Sequence, residues 1–155
     1  MRPLGIQNRR RVPNRHLSAS SRWDRNHGAN RGRLNARRHG SRIGAWSART
    51  NNRYQWIQVY FPRPKTVTNI ATQGRQDANQ WVKSYYVTFS VNGVQFVPYK
   101  VKGKRKIFRG NKNRNSITYN TFNPPIKALF VRIHPVSWHA HISLRFELYG
   151  FPASE

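Results

Sequence analysis

The sequence contains no cysteine in 155 residues, so neither a disulfide bond nor a thiolate can contribute to its structure or chemistry. Acidic side chains are almost as scarce, with four Asp and Glu residues against 29 Lys and Arg residues. No stretch approaches the roughly 18 to 20 apolar residues of a membrane-spanning helix. No phosphate-binding loop, nucleophile motif, zinc-ligand spacing or pair of catalytic carboxylates occurs. The sequence therefore argues against an enzyme.

The formal net charge of +25 is the main compositional feature that remains. Self-repulsion of this size destabilises a compact fold, and a few net charges already secure solubility. The charge therefore predicts an anionic partner, such as a sulfated glycan, an anionic membrane or nucleic acid. Binding to nucleic acid would be non-specific, because no base-reading motif occurs. A natural or engineered supercharged surface is the alternative explanation of the same composition.

Short β-strand patterns follow one another from residue 55 onward, and no segment has a convincing helical pattern. Alternating polar and apolar residues, rich in β-branched and aromatic types, predict seven strands. These strands span residues 55–61, 66–72, 83–91, 94–99, 116–122, 128–134 and 143–149. We expect Pro62 and Pro64 to end the first of them. The pattern indicates one all-β sandwich or barrel over residues 1–155, with long loops from the first third.

Several segments together are typical of one known family. They read PLGI at 3–6, LSASSRW at 17–23, GAW at 44–46, QWIQV at 55–59, WVKSY at 81–85, VRIHP at 131–135 and ISLRFELYG at 142–150. In this order and spacing they resemble the discoidin domain, also called the coagulation factor V/VIII type C domain, and most closely its lectin-like members. The resemblance implies an eight-stranded jelly-roll β-sandwich with ligand-binding spike loops at one end. It also implies a secreted or extracellular adhesion module, although the first residues hold no signal peptide.

The resemblance places the first spike at residues 22–28. Trp23 would stack on the apolar face of a sugar or touch lipid, and Asp24 or His27 beside it would hydrogen-bond hydroxyl groups. The alternative is that Trp23 packs inward and that Asp24 caps a turn. Family members bind carbohydrates, phosphatidylserine or collagen, so the resemblance predicts the fold far better than the ligand.

The third spike of the lectin-like members corresponds here to residues 75–81. Arg75 and Asp77 lie beyond a strand end and would point toward the same loop end as the first spike. An Arg–Asp pair near an aromatic residue suits the hydroxyl pattern of a galactose-type sugar. The alternative is an ion pair that braces the loop.

The second spike corresponds to residues 36–43. Membrane-binding relatives carry exposed apolar tips there, whereas this loop has mainly cations and offers Ile43 alone for insertion. Its candidate ligand-binding cations are Arg37, Arg38 and Arg42. This composition favours surface electrostatics over bilayer insertion. Binding to phosphatidylserine-rich membranes, with Trp23 and Ile43 as shallow anchors, remains the main alternative to glycan binding.

A run of lysines follows the fourth predicted strand. Because alternate residues of a strand share a face, an extended segment would align four of them in one cationic row. The candidate polyanion-binding residues are Lys100, Lys102, Lys104, Arg105 and Lys106. Such a row would follow a heparin-like chain, and we predict that its binding weakens with salt. The alternative is a solvated edge strand that lysines protect from aggregation.

The remaining ionisable residues predict no catalytic or metal site. His139 and His141 would share a strand face, where packing is a simpler explanation than metal binding. Glu147 is expected to pair with a buried arginine, either Arg132 or Arg145. We expect no cofactor, although backbone carbonyl groups could still bind a Ca²⁺ ion.

Overall fold

The computed structural model describes residues 1–154, which form an almost entirely antiparallel β-structure. Within these residues the strands are β1 (Leu17–Ala19), β2 (Trp46–Ser47), β3 (Ile57–Gln73), β4 (Trp81–Ser90), β5 (Val97–Pro98), β6 (Lys100–Val101), β7 (Lys104–Arg105), β8 (Phe108–Arg109), β9 (Thr118–His139) and β10 (Ser143–Pro152). Short 3-10 helices lie in the N-terminal loops at Asn14–His16, Arg25–His27 and Ala29–Arg31. None of these helices is long and apolar enough to cross a membrane.

The long strands β3 and β9 each contribute to both layers of the sandwich. The first half of β3 pairs with β1, and its second half pairs with β10. Between the halves, four residues of β3 stand opposite one residue of β9. The prediction that Pro62 and Pro64 end a strand is therefore wrong. A bulge tolerates residues without an N–H group, so the strand bends there and continues.

The pairing pattern separates two layers. One layer contains β1, the first half of β3, the second half of β9 and β4, with β5 and β8 at its edge. The other contains β2, β10 and the remaining halves of β3 and β9. Strands β6 and β7 form a separate hairpin. This arrangement confirms the predicted all-β jelly-roll sandwich and places the β3–β4 and β9–β10 connections at the same end.

The core between the layers is built from inward-facing apolar side chains of both. Ile57 and Val59 of the first layer and Leu144 and Leu148 of the second are fully buried in one cluster. Each such side chain stabilises the fold by roughly 1.5–3 kcal/mol. Trp46 closes this core below the loop end, where its indole N–H donates to a loop carbonyl oxygen at 2.8 Å.

Glu147 is fully buried and forms no ion pair among residues 1–154, so the predicted pairing with Arg132 or Arg145 is wrong. Its carboxylate accepts hydrogen bonds from the backbone N–H groups of Ile6 and Gln7, both at 3.0 Å. Burial raises the pKa of Glu147 despite these bonds. The N-terminal segment lies over the carboxylate and supplies donors where no guanidinium reaches. Glu147 thus fastens that segment to β10.

His134, on β9, should make the stability of the domain depend on pH. Burial foremost, and then Arg132 and Arg105 nearby, lower the pKa of His134 from 6.5 to about 4. As the pH falls, the imidazole of His134 is protonated near pH 6.5 in the unfolded chain but only near pH 4 in the folded chain. The free energy of unfolding should therefore fall by on the order of 2 kcal/mol as the pH decreases through that window.

The variant His134→Gln removes this titration and keeps a polar partner for the Thr88 hydroxyl, which lies 2.7 Å from the imidazole. Urea unfolding at about pH 7 and about pH 4 should show a smaller pH dependence in the variant. Glu147, whose pKa burial raises, titrates in the opposite sense in both proteins, so the difference isolates His134. The same pH dependence in variant and wild type would contradict this assignment.

Candidate ligand-binding site at the loop end

A pocket of about 310 Å³ opens where the β3–β4 and β9–β10 connections meet the N-terminal loops. It is lined by Trp23, His27, Ser47, Arg75, Gln80 and His141. Three of these residues, Trp23, His27 and Arg75, are among the candidates from the sequence. The pocket therefore brings together part of the first and third predicted spikes.

Trp23 is exposed rather than packed inward, with 57% of its surface accessible to solvent. Its backbone N–H donates to the Ser47 carbonyl at 2.9 Å, which fixes the loop against β2. Its ring meets the His141 imidazole edge to face, with centroids 5.6 Å apart. These contacts hold the indole upright beside the pocket and leave much of it free to stack on a ligand.

Asp24 caps the short helix that follows it instead of lining the pocket. Its Oδ1 accepts from the Asn26 backbone N–H at 2.8 Å and contacts the Nδ1 atom of His27 at 2.5 Å. The His27 hydrogen bond is the main cause that lowers the pKa of Asp24. Asp24 thus orients His27. The Nε2 atom of His27 has no hydrogen-bond partner among residues 1–154 and is left for a ligand.

Arg75 and Asp77 form the ion pair that the sequence offered as the alternative to a ligand site. Arg75 Nε lies 2.9 Å from Asp77 Oδ1, which also accepts from the Gly44 backbone N–H at 3.0 Å. Burial raises the pKa of Asp77, but the bonds from Arg75 and Gly44 outweigh it and lower the pKa overall. Asp77 therefore joins two loops. Arg75, whose Nη1 also bonds Gln80 Oε1 at 3.2 Å, lines the pocket.

Sequence reasoning missed Ser47, Gln80 and His141 as pocket residues. His141 Nε2 donates to the Ala48 carbonyl oxygen at 2.6 Å, and its Nδ1 therefore accepts from the Asn51 amide at 3.2 Å. These bonds fix the imidazole beside Trp23. The pairing of β10 with β2 brings Ser47 and His141 together, and the Ser143 hydroxyl donates to Gln80 at 2.8 Å. No local pattern in the sequence indicates these long-range contacts.

The predicted common strand face of His139 and His141 is wrong. Ala140 between them has a φ of 64°, so the chain turns and the two imidazoles separate. His139 stacks on Trp81 with ring centroids 4.3 Å apart, outside the pocket. In the described part of the chain, no group of three or more His, Cys, Asp or Glu side chains could hold a metal ion.

The second spike differs from the expectation at one residue. Ile43 is buried and only 6% exposed, so the predicted membrane anchor is wrong. Its backbone N–H donates to the Asn26 carbonyl at 3.1 Å, which draws the residue between two loops. The three candidate cations of this spike are exposed but lie outside the pocket lining: Arg37, Arg38 and Arg42.

The predicted lysine row on one strand face is also wrong. Lys102 and Gly103 have φ angles of 52° and 77°, the left-handed conformations of a two-residue hairpin turn. The chain therefore reverses between β6 and β7 instead of running straight. All four lysines are exposed on this basic hairpin: Lys100, Lys102, Lys104 and Lys106. Arg105 lies 3.9 Å above the Tyr86 ring, which anchors the hairpin to the first layer.

Comparisons with known proteins confirm the resemblance drawn from the sequence. The F5/8 type C domain model matches residues 16–148. Human coagulation factor V is 38% identical over 96% of this chain, which covers 7% of that protein. Mouse lactadherin is 41% identical over 96% of this chain, which covers 33% of that protein.

The fold comparison agrees. The structure of discoidin II from Dictyostelium discoideum superposes with a TM-score of 0.86 and 32% identity, over 98% of this chain and 60% of that one. The chain thus spans a third or less of these two curated relatives and about three fifths of discoidin II. It belongs to the F5/8 type C, or discoidin, domain family, whose members are non-catalytic binding modules.

Proposed function

We propose that this domain is an extracellular, lectin-like module that binds acidic glycans at the loop-end pocket. Domains of this family bind carbohydrates or phospholipid membranes. The observation that carries the proposal is the exposed indole of Trp23 beside a pocket lined by a guanidinium, two imidazoles and an amide. An aromatic platform with a few fixed polar groups is a common way to orient a small ligand.

The geometry suits a pyranose ring. The apolar face of a sugar can pack on Trp23, whose ring is held by contacts that do not use its whole surface. His27, from the same loop as Trp23, and Arg75, from the β3–β4 connection, can bond hydroxyl groups around the ring edge. Because backbone and side-chain bonds already fix each of these groups, little side-chain entropy is lost on binding.

The polar groups favour ligands with negative substituents. Within residues 1–154 no carboxylate lines the pocket, and Asp77 is fully engaged by Arg75 and Gly44. Arg75 keeps N–H groups beyond those used by Asp77 and Gln80, and a planar guanidinium matches carboxylate and sulfate geometry. The net charge of +25 attracts acidic polysaccharide chains from a distance. A long chain could also contact the basic hairpin.

A glycan array read at low and near-physiological salt tests the proposal. Uronic-acid and sulfated saccharides should exceed their neutral counterparts, and the affinity for heparin should fall steeply with salt. EDTA should leave the pattern unchanged, since the pocket offers no carboxylate to a Ca²⁺ ion. Selection of one neutral sugar, or binding insensitive to salt, would contradict the preference for acidic glycans.

A hairpin variant provides the matched control for that array. It replaces four exposed lysines, Lys100, Lys102, Lys104 and Lys106, by glutamine. Long heparin chains should lose affinity and show a shallower salt slope, while short acidic saccharides that fit the pocket should bind as before. Equal losses of affinity for short and long chains would indicate that acidic saccharides bind at the hairpin and not in the pocket.

Phosphatidylserine-rich membranes are the second candidate ligand. The observation in their favour is again Trp23, an exposed aromatic side chain at a basic loop end. Because Ile43 is buried, Trp23 has no apolar partner on the second spike for insertion. Surface attraction without deep insertion is therefore the membrane mode that the geometry supports.

A further inference from the structure

A second cavity, of about 440 Å³, lies next to the loop that carries Trp23. Six of its nine lining residues are arginines: Arg9, Arg22, Arg25, Arg31, Arg33 and Arg42. Arg22 and Arg25 line this cavity, whereas Trp23 and His27 line the pocket. The two hollows are therefore separate, and one loop lies between them.

Two of the six arginines are held rigidly at the base of the arginine cavity. Arg33 is only 8% exposed, and its Nη1 donates to the carbonyl oxygens of Ile6 at 2.7 Å and Val12 at 2.8 Å. Arg31 is half-buried, and its Nε donates to the Ile43 carbonyl oxygen at 2.7 Å. These carbonyl groups fix the guanidinium positions but bring only partial charges. Asp77 attracts Arg31 and Glu147 attracts Arg33 from a distance, but among residues 1–154 neither arginine forms a direct ion pair.

The other four arginines form an exposed rim, and their side chains have no acceptor within residues 1–154: Arg9, Arg22, Arg25 and Arg42. The two ion pairs found in this part of the chain are Asp24–His27 and Arg75–Asp77, so neither includes an arginine of the cavity. The nearby carboxylates thus neutralise none of the six directly.

The rim and the base repel one another. Burial and then Arg42 lower the pKa of Arg31, while burial and then Arg9 lower the pKa of Arg33. Both guanidinium groups still stay protonated at neutral pH. A solvated surface would let like charges spread apart, whereas here backbone bonds hold two cations where further cations face them.

We infer that this arginine cavity binds a compact anion that carries several phosphate or sulfate groups. Guanidinium groups form paired, charge-assisted hydrogen bonds with the oxygen atoms of such groups. One carboxylate could not neutralise six cations, whereas clustered phosphate or sulfate esters could. Binding would also relieve the repulsion between base and rim, so part of the affinity comes from strain already present in the free protein.

Calorimetric titration with inositol hexakisphosphate and with a heparin-derived tetrasaccharide tests the inference. The rim variant Arg9→Gln, Arg22→Gln, Arg42→Gln alters exposed side chains and removes cations that repel Arg31 and Arg33, so its melting temperature should be at or above that of the wild type. It should bind the effective probe about 100-fold or more weakly, because three guanidinium groups that would form charged hydrogen bonds with the anion are lost. The two probes separate a phosphate from a sulfate ligand.

The matched control, Arg2→Gln, Arg63→Gln, Arg109→Gln, removes the same charge from exposed positions outside the cavity. Its affinity should change by less than about threefold, as expected for screened, distant charges. Equal losses in the two triple variants, or no binding of either probe to the wild type, would overturn the inference. The variant Trp23→Ala should bind inositol hexakisphosphate with wild-type affinity, because Trp23 does not line the arginine cavity, so failure of the glycan proposal would remain distinguishable.

Discussion

Replacement of Trp23 by alanine should weaken the binding of short acidic glycans by about 30-fold or more, because a central aromatic contact is commonly worth about 2 kcal/mol or more. The side chain is 57% exposed, so its loss removes little buried surface from the folded protein. The Ser47 hydrogen bond to this loop comes from the backbone and survives the substitution. The melting temperature should therefore stay near the wild-type value, and calorimetry with the preferred array ligand measures the affinity.

Tyr54→Ala is the matched control, because Tyr54 is 85% exposed and does not line the pocket. This variant should bind the same glycan with wild-type affinity. Flotation with phosphatidylserine vesicles extends the comparison to membranes, where a loss confined to Trp23→Ala would indicate insertion. Unchanged glycan affinity in Trp23→Ala would refute the proposed stacking role.

The β-strand predictions succeeded because period-2 burial is a local property of the chain. Alternation correctly located the regions around β3, β4, β9 and β10. It failed at Pro62 and Pro64, where a bulge lets one strand pass from layer to layer. It failed again at Lys102 and Gly103, because a run of lysines contains no apolar periodicity to reveal a reversal. Both errors concern tertiary geometry that composition does not specify.

The candidate site was predictable only in part for a similar reason. Trp23, His27 and Arg75 lie in loops that the family resemblance marks. Ser47 and His141 enter the pocket through sheet pairing between distant segments. The arginine cavity was not foreseen, because a count of charges does not separate a buried, bonded guanidinium from an exposed one.

Arg145 is such a buried guanidinium, and it joins loops around the binding end. Its Nε donates to the Gly74 carbonyl oxygen at 2.7 Å, and its Nη1 donates to that of Ala36 at 2.7 Å. Its Nη2 donates to the carbonyl oxygen of Arg114 at 2.9 Å and to the side-chain oxygen of Asn115 at 2.7 Å. Burial is the main cause that lowers the pKa of Arg145 to about 10, so the side chain stays charged at neutral pH.

Arg145→Met should therefore lower the free energy of unfolding by about 4 kcal/mol, since each buried acceptor left unpaired costs about 1–3 kcal/mol and some would recruit water. Arg145→Lys should recover little of it, because one ammonium group cannot reach acceptors on separate loops.

The control is Arg132→Met, which removes a half-buried arginine from β9. Arg132 donates one side-chain hydrogen bond, to Gln58 at 2.8 Å, and stacks on both Trp56 and Phe96, so its loss should cost about 2 kcal/mol. Urea unfolding of the purified variants measures both values. Glycan affinity should decrease in Arg145→Met alone, because Gly74 directly precedes the pocket residue Arg75. Comparable destabilisation by the two substitutions would show that Arg145 acts through packing rather than through the loop carbonyl groups.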